Sequence, residues 1–477
     1  MPSIRNFRLF LVLLCVLCGH INLAFSDKLP AQVSKLVSKY GIPPDAISID
    51  VRDLSSDNSI LRVNSDKPRN PASVIKLLTT LSALELLGPD YVWNTRYYIH
   101  GKLAGDVIQG DLVIRGDGDP FLTVDRLWHH ILSIRERGIR AISGSLVIDN
   151  SLFDIPPHNR SAFDEQPARL YNVGPDAALA NFSATRFVFH PINDHISVFA
   201  DPPLADMVVI NKIKPADGKC KSKNSGWNYD IKRTGEKLYA TFSGTFRIRC
   251  GQHSISRALF SNNEYTFRLF KYLWRQSGGI FDGGYRIARV PENAKILITY
   301  PSVPLADIIT SINKYSNNVM TRNLFLTLDS QVENHPATLD GARIMLSKWL
   351  TANNLSMPEL YVDNGSGLSR KTRISSRSLS DLLRHGWNSN YHPEFLSSLS
   401  LSALDGTMRK RLHDSGLQGR ARIKTGLING VRSMAGYVNA RNNRQYSVAM
   451  MIESSRVNYW NGNEIQDAVL KWIYNRK

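Results

Sequence analysis

Three short clusters in this sequence have the residue types and spacing for nucleophilic chemistry at a carbonyl. In "PASVIKLLTT", Ser73 and Lys76 stand three apart, a spacing that puts two side chains on one face of a helix. A serine at the opening turn of a helix meets unpaired N–H groups and the positive end of the dipole. A lysine one turn on, among leucines, is driven by desolvation toward the neutral amine that can take a proton. Taken alone, the pair reads equally well as a helix cap followed by a lysine reaching for solvent. A second pair of the same spacing, Ser311 and Lys314, occurs further on.

The second cluster is Lys424-Thr425-Gly426, followed by Leu427, in the strand-like stretch "IKTGLING". A glycine inside a strand often marks the close approach of a ligand to the backbone, and a lysine and a threonine beside it suit a carboxylate. A strand running into a turn is the plainer reading. The third cluster is Ser316 and Asn318 in "YSNNVM". The same Ser-x-Asn pattern occurs at 56–58, inside an expected turn. It also occurs at 261–263, where Ser261 and Glu264 read as a capping box. Ser316 differs in lying between two helical stretches, after Ser73 and before Lys424.

The elements that would position these clusters fall into two groups. "DAISIDVRDL" and "SILRVNSD" alternate as strands around a turn, after a short helix in "AQVSKLVSKYG". A helix expected to begin at Ser73 is apolar on most sides and stops at Gly88-Pro89, so it must be buried. Helices return in "PLADIITSINKYS", "NVMTRNLFLTLD" and "DGARIMLSKWLTANN". Strands then return in "ARIKTGLI", "SMAGYVNA" and "YSVAMMIES", with "ARNNRQ" as a hairpin turn, and "EIQDAVLKWIYNRK" closes the chain as a helix. The economical architecture pairs the strands of both ends in one antiparallel sheet with helices packed on it. The turn-rich stretch between, with strand-like runs such as "GDLVIRGDG" and a helix in "VDRLWHHILSIRERG", is then an insertion.

The 477 residues suffice for two or three domains. Arg5 and Arg8, the apolar run Leu9–Leu17 and the small residues at Ala24 and Ser26 read as an export signal over 1–26, with a retained anchor as the alternative. Cys15 and Cys18 fall inside it. Cys220 and Cys250 remain, an even pair that in an oxidising compartment suggests a disulfide, two free thiols being the alternative. The net charge of +18 is spread along the chain, with a dense patch in "KIKPADGKCKSK". The plainer reading is a solvated basic surface; for an exported protein the sharper one is weak attraction to anionic lipid or envelope polymer, and nothing in the sequence carries a nucleic-acid-binding signature. His129 and His130 are adjacent and point apart on a helix, and no HExxH pattern occurs, so neither metal nor cofactor is expected.

SxxK, SxN and KTG in this order make up a set that also marks penicillin-binding proteins and class A β-lactamases. With "DNGSGLSR", "GDGDP" and "LDGTMRKRL", the chain resembles the D-alanyl-D-alanine carboxypeptidase/endopeptidases. These are low-molecular-mass penicillin-binding proteins with a large insertion between the first two motifs. The resemblance implies an α/β (α+β) fold: an antiparallel five-stranded sheet flanked by helices, an all-helical lobe, and a mostly β inserted region. The expected division is a signal over 1–26, catalytic parts at 27–89 and 293–477, and an insertion of two lobes at 90–292.

It also implies roles. Ser73 would attack and form an acyl-enzyme, Lys76 would take its proton, and Ser316 would relay a proton to the leaving amine with Lys424 nearby. Asn318 would hold the substrate amide and Thr425 its carboxylate. Gly426 and Leu427 would line the site, and the N–H groups of Ser73 and Leu427 would form an oxyanion hole. Arg370 would contact the side chain of the stem peptide. Asn317 replaces the commoner aspartate inside SxN. Expected partners are peptidoglycan peptides and β-lactam inhibitors, in the periplasm or another extracytoplasmic space. The competing readings are a β-lactamase, disfavoured by the insertion and by the lack of an ExxLN-type segment, and a non-catalytic envelope-binding protein.

Overall fold

The computed structural model describes residues 26–56, 58–220, 222, 226–330 and 335–476. The expected signal, apart from Ser26, lies outside them, as do Cys15 and Cys18. Among the described residues no helix is long and apolar enough to cross a membrane.

The strands of both chain ends meet in one antiparallel sheet. Its order is Ser400–Leu401, Ala421–Ile428, Val431–Asn439, Gln445–Glu453, Ile47–Asp53, Ser59–Val63. Five long strands are thus joined by a sixth of two residues, which pairs Ser400 with Ile423 at the edge. The N-terminal and C-terminal groups join where Ile49 faces Met450.

Successive side chains of a strand point to opposite faces, and Gln445–Glu453 shows how both are used. Val448, Met450 and Ile452 pack with Val33, Val37, Ile465 and Val469 of the helices Ala31–Lys39 and Tyr459–Tyr474. Ala449 and Met451 pack with Leu379 and Leu383 of the helix Ser376–Asn388. The C-terminal helix starts five residues before the expected stretch, because Asn458 and Asn461 close a capping box at its head.

The helical lobe gathers around Lys76–Leu87, in which Leu77, Leu78, Leu81 and Leu84 are all buried. Leu305–Tyr315, Asn318–Ser330 and Leu339–Ala352 pack about it in the same apolar cluster. The expected helix start at Ser73 needs correcting. Residues Ala72–Ile75 form a tight 3₁₀ turn, and the α-helix begins at Lys76.

The chain leaves this unit at Asn94 and returns at Pro301, two residues paired in register. Between them lie a seven-stranded sheet, two three-stranded sheets and the helices Val124–Glu136 and Asn262–Gln276. One apolar cluster, including Tyr97, Ile131, Phe187, Phe242 and Trp274, runs through all three sheets. Cys220 and Cys250 are joined in a disulfide here. Ser261 accepts from the N–H of Glu264 at the head of its helix. Trp227 packs 4.6 Å from Phe189. His129 is exposed, whereas His130 is buried against the Tyr97 hydroxyl at 3.0 Å.

Candidate active site

The turn that carries Ser73 is fixed before the helix begins. Asn70 accepts from the N–H of Ala72 at 2.9 Å and donates to the Ser369 carbonyl at 2.8 Å. Ala72 is held at φ +45°, a conformation that costs a non-glycine residue energy and persists only where its surroundings impose it. Two glycines do so. A Cβ on Gly367 would lie 1.9 Å from the Ala72 carbonyl oxygen. One on Gly426 would lie 2.7 Å from the Pro71 carbonyl and 3.0 Å from the Ser73 nitrogen. The glycine of the KTG strand is therefore where strand backbone and serine turn touch, and its lack of a side chain is a steric requirement.

The lysine that opens the helix is fully buried, while Ser73 keeps some exposure. Lys76 Nζ lies 3.1 Å from Ser73 Oγ and donates to Asn318 Oδ1 at 2.7 Å and to the Ser366 carbonyl. Burial, then the charges of Lys424 and Arg322, push its pKa well below the usual lysine range.

The second serine is presented differently. Ser316 sits at φ +58° between Leu305–Tyr315 and Asn318–Ser330, so the two helices turn about it. Lys424 Nζ donates to Ser316 Oγ at 3.0 Å and to the Thr425 carbonyl at 2.8 Å. Burial alone pushes Lys424 down to about 7. Asn317 Oδ1 accepts from the Met320 N–H at 3.2 Å, so the unusual middle residue of SxN caps its own helix. Thr425 Oγ1 lies 2.9 Å from Thr407 Oγ1, and Leu427 is 49% exposed at the open side of the strand.

The description "D-Ala-D-Ala carboxypeptidase 3 (S13) family" belongs to the family model that matches residues 29–476. The chain belongs to that family. It is 23% identical over 448 residues to the D-alanyl-D-alanine carboxypeptidase DacB of Haemophilus influenzae, covering 89% of each chain. It is also 23% identical over 384 residues to a D-alanyl-D-alanine carboxypeptidase of Actinomadura, covering 77% of this chain and 70% of that one. The crystal structure of penicillin binding protein 4 from Haemophilus influenzae superposes with a TM-score of 0.76 at 19% identity, over 94% of this chain and all of that one. That likeness concerns the fold.

Within this S13 chain, the seven motif residues Ser73, Lys76, Ser316, Asn318, Lys424, Thr425 and Gly426 converge from five separate places in the fold, and Arg370 stands apart from them. Arg370 donates to the Asn429 carbonyl at 2.7 Å, beyond the end of the KTG strand, and its guanidinium lies 5.0 Å over the Phe163 ring. It also lines a cavity of about 430 Å³ formed with residues such as His158, Arg322 and Asp363, whose lining does not include Ser73.

Several contacts of the site were not legible as motifs. The carbonyl of Ser366 holds Lys76, and the carbonyl of Tyr171 accepts from Asn318 Nδ2 at 3.2 Å. Only the first had a signal: Gly365 and Gly367, at φ +69° and +79°, frame Ser366 in a turn few other residues could make.

Proposed function

We propose that this S13 chain is an exported serine D-Ala-D-Ala carboxypeptidase that also opens D-Ala-linked cross-bridges of peptidoglycan, through an acyl-enzyme on Ser73. The observation that carries the reading is the convergence of two serine–lysine pairs, Ser73–Lys76 at 3.1 Å and Ser316–Lys424 at 3.0 Å, about one strand edge.

Ser73 Oγ attacks the carbonyl of the penultimate D-alanine as its proton passes to the Lys76 amine, which burial keeps available in the neutral form. The oxyanion accepts hydrogen bonds from the N–H groups of Ser73 and Leu427, each worth roughly 3–4 kcal/mol when lost. Ser316 relays to the departing amine the proton that Lys76 took, so that both end as they began, and Lys424 supplies the charge beside it. Thr425 receives the terminal carboxylate. Asn318 keeps Oδ1 on Lys76 and turns Nδ2 from Tyr171 to the substrate amide. Water then releases the shortened peptide. Arg370, at the rim beside Phe163, meets the side chain of the stem peptide.

The division into catalytic parts 27–89 and 293–477 with an insertion at 90–292 is supported by the pairing of the strands where the chain leaves and returns. The inserted part supports the site through the Tyr171 carbonyl. An opening wide enough for cross-links is supported by the exposure of Leu404 and Leu427. The disulfide and the leader-like N-terminus support an extracytoplasmic location, where a basic surface would meet anionic lipid or envelope polymer.

Intact-mass spectrometry after exposure to benzylpenicillin, beside a Ser73→Ala variant, tests the reading. One stable adduct per chain, mapped to Ser73 and absent from the variant, is the expected result. Intact drug without an adduct would move the assignment to a binding protein. Hydrolysed drug without an adduct would move it to a β-lactamase.

A further inference from the structure

The turn Asp405-Gly406-Thr407 is used by none of the steps above, yet it touches both halves of the site. Asp405 pairs with Lys314 at 2.6 Å, and its other oxygen accepts from the Leu401 N–H at 2.8 Å. Lys314 lies in the last turn of the helix that delivers Ser316. Leu401 belongs to the edge strand that pairs with Arg422 and Ile423, next to Lys424. Gly406 closes the turn at φ +52°, where a Cβ would come within 2.3 Å of Ser400 Oγ and 2.8 Å of the Lys314 carbonyl. The turn is therefore pinned by the Ser316 helix on one side and the KTG strand on the other.

What it presents is a hydroxyl. Thr407 is exposed, and its Oγ1 lies 2.9 Å from Thr425 Oγ1. Each hydroxyl carries one proton and rotates to suit its partner. With the Thr425 hydroxyl donating to Thr407, the Thr407 proton is left a long contact, Ser400 Oγ at 3.4 Å, among the described residues. An incoming carboxylate offers both hydroxyls a stronger, charged acceptor in place of each other.

We propose that Thr407 is a second carboxylate-binding residue, whose hydroxyl and that of Thr425 together receive the C-terminal carboxylate of the substrate. The inference rests on the carboxypeptidase reading of the site. It makes the requirement for a free carboxylate a property of two elements, the strand and the pinned turn, held on rigid supports.

The test compares two substrates on wild type, Thr407→Val and Thr407→Ser. One is an acyl-D-Ala-D-Ala. The other is an acyl-D-alanine methyl thioester, which is reactive but has no carboxylate in its leaving group. A hydrogen bond to a charged group sets the expected loss: Thr407→Val raises KM for the dipeptide about ten- to a hundredfold. A contact made equally in ground and transition states leaves kcat within about threefold, and the thioester within about twofold. Thr407→Ser restores the dipeptide to within about threefold of wild type. Equal losses on both substrates would reduce Thr407 to a buttress of Thr425 and overturn the proposal, as would no loss on either. Melting temperatures confirm folding, and Thr407→Ala serves in place of valine if the branched side chain disturbs the turn. If the wild type acts on neither substrate and Ser73 is not acylated by penicillin, it is the carboxypeptidase reading that fails.

Discussion

The Ser73–Lys76 corner and the Ser316–Lys424 corner look alike at first: a part-exposed serine, a fully buried lysine, and a contact near 3 Å in each. They differ in what surrounds the ammonium. Lys76 is lowered by burial and also by the charges of Lys424 and Arg322, whereas burial alone lowers Lys424, to about 7. The asymmetry is consistent with a division of protonation states. A neutral Lys76 exerts no Coulombic push on Lys424, while a charged Lys424 keeps Lys76 neutral. Two like groups whose environments favour different forms can divide one reaction between them, Lys76 as the proton acceptor and Lys424 as the positive charge beside Ser316.

The largest expected effect breaks the first corner. Lys76→Met leaves Ser73 Oγ without a proton acceptor while preserving most of the buried volume. Acylation by benzylpenicillin, followed as a second-order rate constant, should fall by about a thousandfold or more. A loss under about tenfold would mean that another group activates Ser73.

Lys424→Met is expected to cost less, about a hundredfold, but it should also reshape the pH profile. The charged form of Lys424 is lost as pH rises through about 7, so wild-type acylation should carry an alkaline limb near that value. Removing the charge relieves Lys76, whose pKa then rises, so the acid limb should move to higher pH. Stability gives an independent reading of the same group. A buried lysine with a depressed pKa stabilises the fold fully above its unfolded value, and this is lost as pH falls through about 7. Lys424→Met should therefore raise the melting temperature more at pH 6 than at pH 10. An unchanged difference between those two pH values would contradict the buried, titrating lysine.

The two corners were not equally legible. The KTG strand was readable because period-two alternation and an internal glycine are local features, and the glycine's reason emerged as contact with Pro71 and Ser73. The helix start at Ser73 was misplaced by three residues because the 3₁₀ turn is imposed from outside, by Gly367, Gly426 and Asn70, on a sequence that would cap a helix by itself. Ser316 could be chosen only by its order in the chain. Its left-handed backbone, which two helices force on a non-glycine residue, leaves no trace in composition. The carbonyl of Tyr171 is invisible in principle, since every residue type has one, and that of Ser366 is marked only by the glycines on either side of it. The sheet fared better: strands at both chain ends with matching alternation can bury their faces only by pairing.

The smallest change sharpens the comparison most finely. Asn318 Oδ1 accepts from Lys76 Nζ at 2.7 Å, and its Nδ2 donates to the Tyr171 carbonyl at 3.2 Å. Asn318→Asp keeps the size and puts a carboxylate against the ammonium. An opposite charge at that range favours the charged form and raises the lysine pKa. The acid limb of acylation should climb while the alkaline limb, set by Lys424, stays near 7. A second consequence has a different signature. The aspartate cannot donate to the substrate amide, which lowers the rate by about the same factor at every pH and moves neither limb. If Lys76 is the base, the variant therefore shows a narrowed profile on a lowered plateau. If the plateau falls but the acid limb stays in place, Asn318 only positions substrate, and the base must be sought elsewhere.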